Sequence, residues 1–139
     1  MQTIEELGEG EAKLAVEAIH ELLLRRGKAA VIAVADAHGE LVSLLRMDGA
    51  KVSSVLVATR KCWTAARERA TTGEVGRSFR ESRLEVMNSD PYYTGWDGGV
   101  PVRHAGRVVG AVAVSGLDQN EDAELARVGA ARINEVIGE

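Results

Sequence analysis

The sequence predicts an α/β protein of the α+β type, with helices packed on an antiparallel sheet. Two hairpin patterns carry this prediction, because short apolar runs flank the turn sequences Asp-Ala-His-Gly and His-Ala-Gly-Arg. A tight turn joins only antiparallel neighbours, so the hairpins exclude a Rossmann-type parallel sheet. Helical periodicity before, between and after the hairpins supplies the covering helices. The predicted order is therefore α, hairpin, α, α, hairpin, α.

The first half of the chain begins with a predicted helix over 11–26, whose apolar side chains recur at helical spacing opposite a charged face. The run 29–35 (Ala-Ala-Val-Ile-Ala-Val-Ala) is short and contains β-branched residues, which predicts a buried strand. Residues 41–47 form its hairpin partner. A long helix follows over 53–70, and we expect one of the two serines at its start to be the N-cap.

The middle of the chain combines a weaker helical pattern over 74–87 with a loop over 88–99. The loop is dense in turn-forming residues and aromatics, although aromatics make up only 4% of the chain. Its most distinctive side chains are Pro91, Tyr92, Tyr93 and Trp96. Exposed aromatics of this kind either stack on a planar ligand or cover a subunit interface, and the sequence leaves both roles open.

The second hairpin pairs a strand over 100–103 with one over 108–114, in which small residues alternate with valine. This alternation predicts a central, closely packed strand. Asp118, with Glu121 three residues later, has the spacing of a capping box. We expect it to open a final helix that ends near Ile137.

Length, charge and cysteine content limit the kinds of function that this protein can have. The 139 residues fit one domain, 1–139, with its core over about 10–137. The net charge of −4 argues against nucleic acid as a partner. No apolar run approaches the ~18 residues that a membrane span requires, and the acidic start does not resemble a signal peptide. With Cys62 as the single cysteine, no internal disulfide can form. We therefore expect a cytoplasmic protein that binds neither nucleic acid nor membranes.

Three stretches resemble the GlcG/HbpS-like family: AVADAHGELVSLLRMDGA, ATRKCWTAA and GGVPVRHAGRVVGAVAVSGLDQNEDAELARVGA. Each motif alone is common, but their order and spacing are specific, and the resemblance covers about 10–135. The resemblance implies a bacterial-type, haem-binding-like protein. It also implies an α-β-α, profilin-like sandwich with a five-stranded antiparallel sheet, homo-oligomers, and haem or a corrinoid as the cofactor.

Five polar or small residues, besides the aromatic side chains of the loop, are candidate ligand contacts. Arg46 and Asp48, with Met47 between them, lie at a strand end, where they either orient a ligand or simply fix the loop. Lys61 lies mid-helix, where a solvated lysine is the ordinary interpretation. A partly buried lysine would instead bind a carboxylate or act as a base. Gly99 and Ser115 are candidate pocket walls, since both lie at strand ends.

The histidines and the cysteine give little indication of a metal site or a reactive thiol. His38 and His104 both fall at hairpin turns, and His20 lies on a helix. No metal-binding spacing such as H-x-x-x-H is present, so a catalytic metal site is not predicted, and His38 and His104 are only weak metal candidates. Cys62 is expected to be a buried, inert thiol.

The sequence therefore predicts a small-ligand-binding protein whose pocket lies at a sheet edge. Arg46, Asp48 and Lys61 would orient polar groups, while Tyr93 and Trp96 would supply apolar walls. By the family resemblance, the ligand would be haem or another tetrapyrrole. One alternative is a small enzyme acting on an organic acid or aromatic compound, with Lys61 as base and Arg46 holding a carboxylate. The other is a structural oligomer whose aromatic loop forms the interface.

Overall fold

The computed structural model describes residues 1–82 and 90–139. These residues contain four helices and four strands. The elements are α1 (Glu9–Arg26), β1 (Val31–Asp36), β2 (Leu41–Arg46), α2 (Ser53–Glu68), α3 (Thr72–Ser82), β3 (Gly99–His104), β4 (Arg107–Ser115) and α4 (Gln119–Ile137). Their order confirms the predicted alternation of helices and hairpins. The last five residues of the predicted 74–87 helix lie outside the described residues.

The two hairpins join into one antiparallel sheet with the strand order β2-β1-β4-β3. The inner strands of the two hairpins pair directly, with Val31 opposite Ser115 and Asp36 opposite Gly110. The five strands implied by the family resemblance are wrong for the described residues, which hold four. The chain's own pattern contained only four short apolar runs bounded by turns, and its other apolar residues recur at helical spacing.

The two faces of the sheet carry side chains of different size. Ile32 and Val34 of β1 belong to the large core cluster that α1 and α4 cover. The alternate residues of β1, including Ala33 and Ala35, face α2, where Ala58 and Cys62 are fully buried. Since alanine is small, α2 packs closely on this face. The sheet is thus covered by helices on both sides.

The N-terminal caps of α2 and α3 differ from those that the sequence predicts. No serine caps α2, because Val52 occupies the N-cap position with helical angles. The helix is entered instead through a turn in which the Ser54 amide donates to the Lys51 carbonyl. A reciprocal capping box that the sequence analysis missed opens α3, where the Glu74 amide donates to Thr71 Oγ1 and the Thr71 amide donates to Glu74 Oε2.

The predicted capping box of α4 forms only in part. Asp118 Oδ1 accepts the Asn120 amide at 2.9 Å, as an N-cap should. Glu121 does not reach back to the cap, because its carboxylate accepts hydrogen bonds from Arg26 and Lys28. These two cations hold the pKa of Glu121 below its ordinary value. The ion pairs therefore tie the end of α1 to the start of α4.

Residues 1–8 form an N-terminal segment that lies over the sheet end carrying the hairpin turns. The Leu7 amide donates to the Val109 carbonyl at 2.9 Å. The Leu7 side chain is buried against Gly110, where a Cβ atom would lie 2.6 Å from Leu7 Cδ1. Among the helices of the described ranges, none combines the length and apolar character needed to cross a bilayer.

Candidate functional site

An open cleft of about 160 Å³ lies between α2 and the loop that precedes β3. We call it the aromatic cleft, and its lining residues are Val57, Arg60, Pro91, Tyr93, Thr94, Gly95 and Trp96. The Trp96 side chain is 59% exposed, which is unusual for so large an apolar group. Tyr93 also lines the cleft and is half-buried. The carboxylate of Glu68 raises the pKa of the Tyr93 phenol, so its hydroxyl stays protonated.

Hydrogen bonds and one close backbone contact hold this loop in place. The Thr94 amide donates to Thr64 Oγ1 at 3.0 Å, and the Asp97 amide donates to Gln119 Oε1 at 2.9 Å. Gly95 crosses Gly76 of α3 so closely that a Cβ on Gly76 would lie 2.3 Å from the Gly95 carbonyl oxygen. The cleft wall is therefore fixed by α2, α3 and α4 together.

Cations and aromatic rings alternate along the outer side of α2. The Arg67 guanidinium carbon lies 3.5 Å from the Trp63 ring centroid, and the Tyr92 ring lies 5.3 Å from that of Trp63. Arg60 in turn lies 5.7 Å from the Tyr92 centroid. Within the described residues, Arg60 Nε is buried without a hydrogen-bond partner. Arg60 also lines the cleft, so its guanidinium places a positive charge there that attracts an anionic group.

A buried ion pair lies beneath the loop. Lys61 Nζ donates to the Val114 carbonyl at 2.9 Å and to Asp122 Oδ2 at 3.2 Å. Asp122 Oδ1 accepts the Leu117 amide at 3.1 Å. Burial lowers the pKa of Lys61 and raises that of Asp122, and their mutual attraction opposes both shifts. The pair joins α2, the end of β4 and the first turn of α4.

The solvated-lysine interpretation of Lys61 is therefore wrong, since the residue is only 2% exposed. Gly98 closes over the ammonium group, because a Cβ there would lie 2.7 Å from Lys61 Nζ. Gly99 packs on the Lys61 backbone in the same way. Both glycines thus permit a close approach between α2 and the start of β3. Lys61 is therefore enclosed by protein groups, with the Val114 carbonyl and the Asp122 carboxylate as its hydrogen-bond acceptors.

The structure separates the predicted ligand residues into three places. Tyr93 and Trp96 come together in the aromatic cleft. Lys61, Gly99 and Ser115 are buried beneath it, at the end of β4 and the start of β3. Arg46 and Asp48 are exposed at the end of β2, which lies at the opposite edge of the sheet from β3.

Sequence reasoning missed Arg60, Val57 and Thr94 as cleft residues. A usable signal existed for two of them, because Val57 and Arg60 are three residues apart and so share one face of α2. The contact between α2 and Thr94 carried no such signal. It depends on how a loop of irregular structure folds back on the helix.

His38 and His104 lie at the sheet end opposite Ser115. His38 Nδ1 is 3.1 Å from Glu6 Oε2 in the N-terminal segment. His104 Nδ1 is 3.3 Å from the Gly138 carbonyl, and its Nε2 is 3.8 Å from Glu5. Neither imidazole lines the aromatic cleft.

We expect Cys62 to resist alkylation in the folded protein. Its side chain is fully buried, and its thiol donates to the Ala33 carbonyl at 3.2 Å. Burial also raises the pKa of the thiol, so almost none of the reactive thiolate forms at pH 8. Iodoacetamide at pH 8 should leave the native mass unchanged and add one adduct after unfolding in guanidinium chloride. Rapid native labelling would contradict this description of the core.

In the described residues, a four-stranded antiparallel sheet is covered by helices on both faces. The protein therefore belongs to the class of α-β-α sandwiches. Comparison with known proteins narrows the class. The chain belongs to the HbpS-like family, because the family model described as "Haem degrading protein HbpS-like" matches residues 7–131. This confirms the resemblance seen in the three sequence motifs.

Two sequence relatives support the assignment. Protein GlcG of Escherichia coli K12 is 37% identical over 84 residues, a match that spans 60% of this chain and 62% of GlcG. An uncharacterised 15.0 kDa protein of Citrobacter freundii, from the dhaT-dhaS intergenic region, is 31% identical over 119 residues and 83% of each chain.

Solved structures share the fold over nearly the whole chain. ORFY of Klebsiella pneumoniae superposes with a TM-score of 0.93 at 25% identity, covering 98% of this chain and 96% of ORFY. An HbpS double mutant of Streptomyces reticuli gives 0.86 at 30% identity, over 94% and 89% of the two chains. PduOC, solved in complex with heme, gives 0.86 at 23% identity over 93% and 96%.

Proposed function

We propose that this protein binds a small planar, anionic ligand in the aromatic cleft, and that a tetrapyrrole such as haem is the ligand to test first. The observation that carries the proposal is the exposed indole of Trp96 in the same cleft as the Arg60 guanidinium. An exposed ring offers a stacking surface, and a guanidinium binds a carboxylate through paired hydrogen bonds. A planar ring system with a peripheral carboxylate matches both groups. In this proposal the protein acts in the cytosol, as a homo-oligomer.

The size of the cleft limits how such a ligand would lie. Pockets that enclose a drug-sized ligand have volumes of about 300–1,000 Å³. The aromatic cleft, at about 160 Å³, is smaller and open to solvent. It would therefore hold one edge of a tetrapyrrole, with the rest of the ring covered by a second copy of the chain or left in solvent. A small aromatic acid would fit as a whole.

The family supports haem as the first candidate. Its description names haem degradation, and PduOC, which shares the fold, was solved with heme. A corrinoid offers similar ring size and carboxylate or amide side groups, so it belongs in the same set of test ligands. Haem iron needs only one protein ligand and no sequence motif, so the absence of a metal-binding motif does not weigh against it.

The enzyme alternative receives less support from the geometry. Lys61 is enclosed and paired with Asp122, whereas Arg46 is exposed at the far edge of the sheet. A base and a carboxylate anchor must both reach one substrate, and neither of these side chains lines the aromatic cleft.

The oligomer alternative has one specific observation in its favour. The outer side of α2 exposes Val52 at 75% and Leu56 at 50%, one helical turn before Arg60 of the cleft. Apolar side chains exposed in this way are typical of surfaces that another chain covers. In this alternative, Trp96 would contribute to an interface and have no role in ligand binding.

A hemin titration of the untagged protein tests the proposal. We expect a saturable shift of the Soret band, and Trp96→Ala should weaken binding by about tenfold, the typical loss for one interface aromatic. Leu24→Ala is the matched control, because Leu24 is also an exposed apolar residue but lies on α1. The control should bind hemin like the parent protein.

Two outcomes would contradict the proposal: the absence of saturable binding, or equal hemin affinity in the parent protein and Trp96→Ala. Sedimentation of the same samples separates the alternatives. If Trp96→Ala dissociates an oligomer and leaves hemin affinity unchanged, the aromatic loop is an interface and not a ligand site.

A further inference from the structure

Three metal-ligating side chains meet at the turn between β1 and β2, two from the turn itself and one from the N-terminal segment. The carboxylates of Glu6 and Asp36 and the imidazole of His38 each place a donor atom within 4.8 Å of the other two. His38 Nδ1 and Glu6 Oε2 are 3.1 Å apart. The sequence analysis did not find this group, because Glu6 enters it from the N-terminal segment.

The backbone holds all three residues in position. Asp36 Oδ1 accepts the His38 amide at 2.8 Å and the Glu40 amide at 3.0 Å, so the turn and the carboxylate fix one another. Glu6 precedes Leu7, whose amide and buried side chain anchor the N-terminal segment to β4. Only the outer side-chain torsions remain free to adjust.

We infer that Glu6, Asp36 and His38 form a binding site for a divalent transition-metal ion, separate from the aromatic cleft. One imidazole and two carboxylates suit Zn²⁺, Mn²⁺, Co²⁺ or Ni²⁺ better than Mg²⁺, which prefers oxygen ligands alone. Ligands about 2.0–2.2 Å from an ion lie at most about 4.4 Å apart. The donor atoms, all within 4.8 Å of one another, are therefore close enough for rotation of the outer side-chain torsions to bring them onto one ion.

The charge of the site favours a cation. The two carboxylates carry two negative charges, and a neutral imidazole adds none. Arg67, a cation beside the turn, pairs with Glu40 at 3.9 Å. The side chains of Glu6 and His38 are about half exposed, so water would complete the coordination shell. A bound ion would fasten the N-terminal segment to the first hairpin.

Calorimetric titration of ZnCl₂ into the untagged, metal-free protein tests the site. We expect one ion per chain, and His38→Ala should weaken binding by at least about tenfold, since even second-shell changes cost 10–100-fold. His104→Ala is the matched control, because His104 also lies at a hairpin turn but faces one glutamate and a backbone carbonyl. Buried Cys62 cannot compete as a ligand in the folded protein.

Glu6→Gln provides a second, independent variant, because the amide keeps the shape of the side chain but loses its charge. It should also weaken Zn²⁺ binding by about tenfold or more. All three replaced side chains are at least partly exposed, so the variants should fold like the parent protein. Absence of binding by the parent protein, or equal affinity in the parent and His38→Ala, would overturn the inference.

Discussion

Replacing Lys61 with methionine is expected to lower the free energy of unfolding by about 3–5 kcal/mol, the loss typical of breaking a buried ion pair. The substitution leaves the Asp122 carboxylate buried with no cation beside it, because Lys61 Nζ is its charged partner at 3.2 Å. It also removes the hydrogen bond to the Val114 carbonyl. Urea unfolding followed by far-UV circular dichroism measures the change.

Two further variants isolate the cause of this loss. Lys13→Met should change stability by less than about 0.5 kcal/mol, because Lys13 is an exposed helix lysine. The double variant Lys61→Met with Asp122→Asn should recover much of the stability, since the amide is neutral and still accepts the Leu117 amide hydrogen bond. A loss below about 1 kcal/mol in Lys61→Met would show that the pair does not stabilise the fold.

The Lys61→Met variant should also respond to pH differently from the parent protein. Burial raises the pKa of Asp122, and the Lys61 charge opposes that rise. Without Lys61 the pKa of Asp122 rises further, so the folded variant binds its proton more tightly than the unfolded chain does. The contribution of Asp122 to stability is then greatest at acidic pH and is lost as pH rises through its folded-state pKa. The difference between the two proteins should therefore narrow toward acidic pH.

Gly76→Ala should destabilise the protein by about 1–3 kcal/mol and weaken hemin binding, although alanine is the better helix former. A Cβ on Gly76 would lie 2.3 Å from the Gly95 carbonyl oxygen and 2.9 Å from the Gly95 Cα. Backbone atoms cannot yield as a flexible side chain does, so α3 and the loop must move apart. Because Gly95 lines the aromatic cleft, its displacement should disturb the ligand site.

Gly10→Ala is the matched control for this prediction. Gly10 also lies in a helix, but nothing is within 4 Å of the position its Cβ would take. There the substitution should stabilise the protein by up to about 1 kcal/mol through helix propensity alone. The two glycine variants should therefore shift the melting temperature in opposite directions. A stabilised Gly76→Ala protein would contradict the close contact between α3 and the loop.

The fold was largely readable from the sequence because its signals are local. Hairpin turns, apolar runs and helical periodicity lie within short windows, so they predicted the element order and the antiparallel pairing. The fifth strand was an error of a different kind. It came from the family resemblance and had no apolar run of its own in this chain.

The site was less readable because its contacts are not local. Lys61 looked like a solvated helix residue, since nothing near it in sequence shows that Asp122, 61 residues later, provides its countercharge. Arg46 and Lys61 looked like partners because both are cationic and belong to family motifs. Only the strand order shows that β2 and β3 are at opposite edges of the sheet.

Trp96 allows the most direct test of ligand binding in the aromatic cleft, because the chain has only two tryptophans. In ¹H–¹⁵N spectra, a Trp63→Phe variant identifies which indole N–H signal belongs to Trp96. Titration with diamagnetic zinc protoporphyrin should then shift the Trp96 signal saturably, through the ring current of a stacked porphyrin. If the porphyrin binds by absorbance while the Trp96 signal stays fixed and resonances elsewhere move, the ligand does not occupy the aromatic cleft.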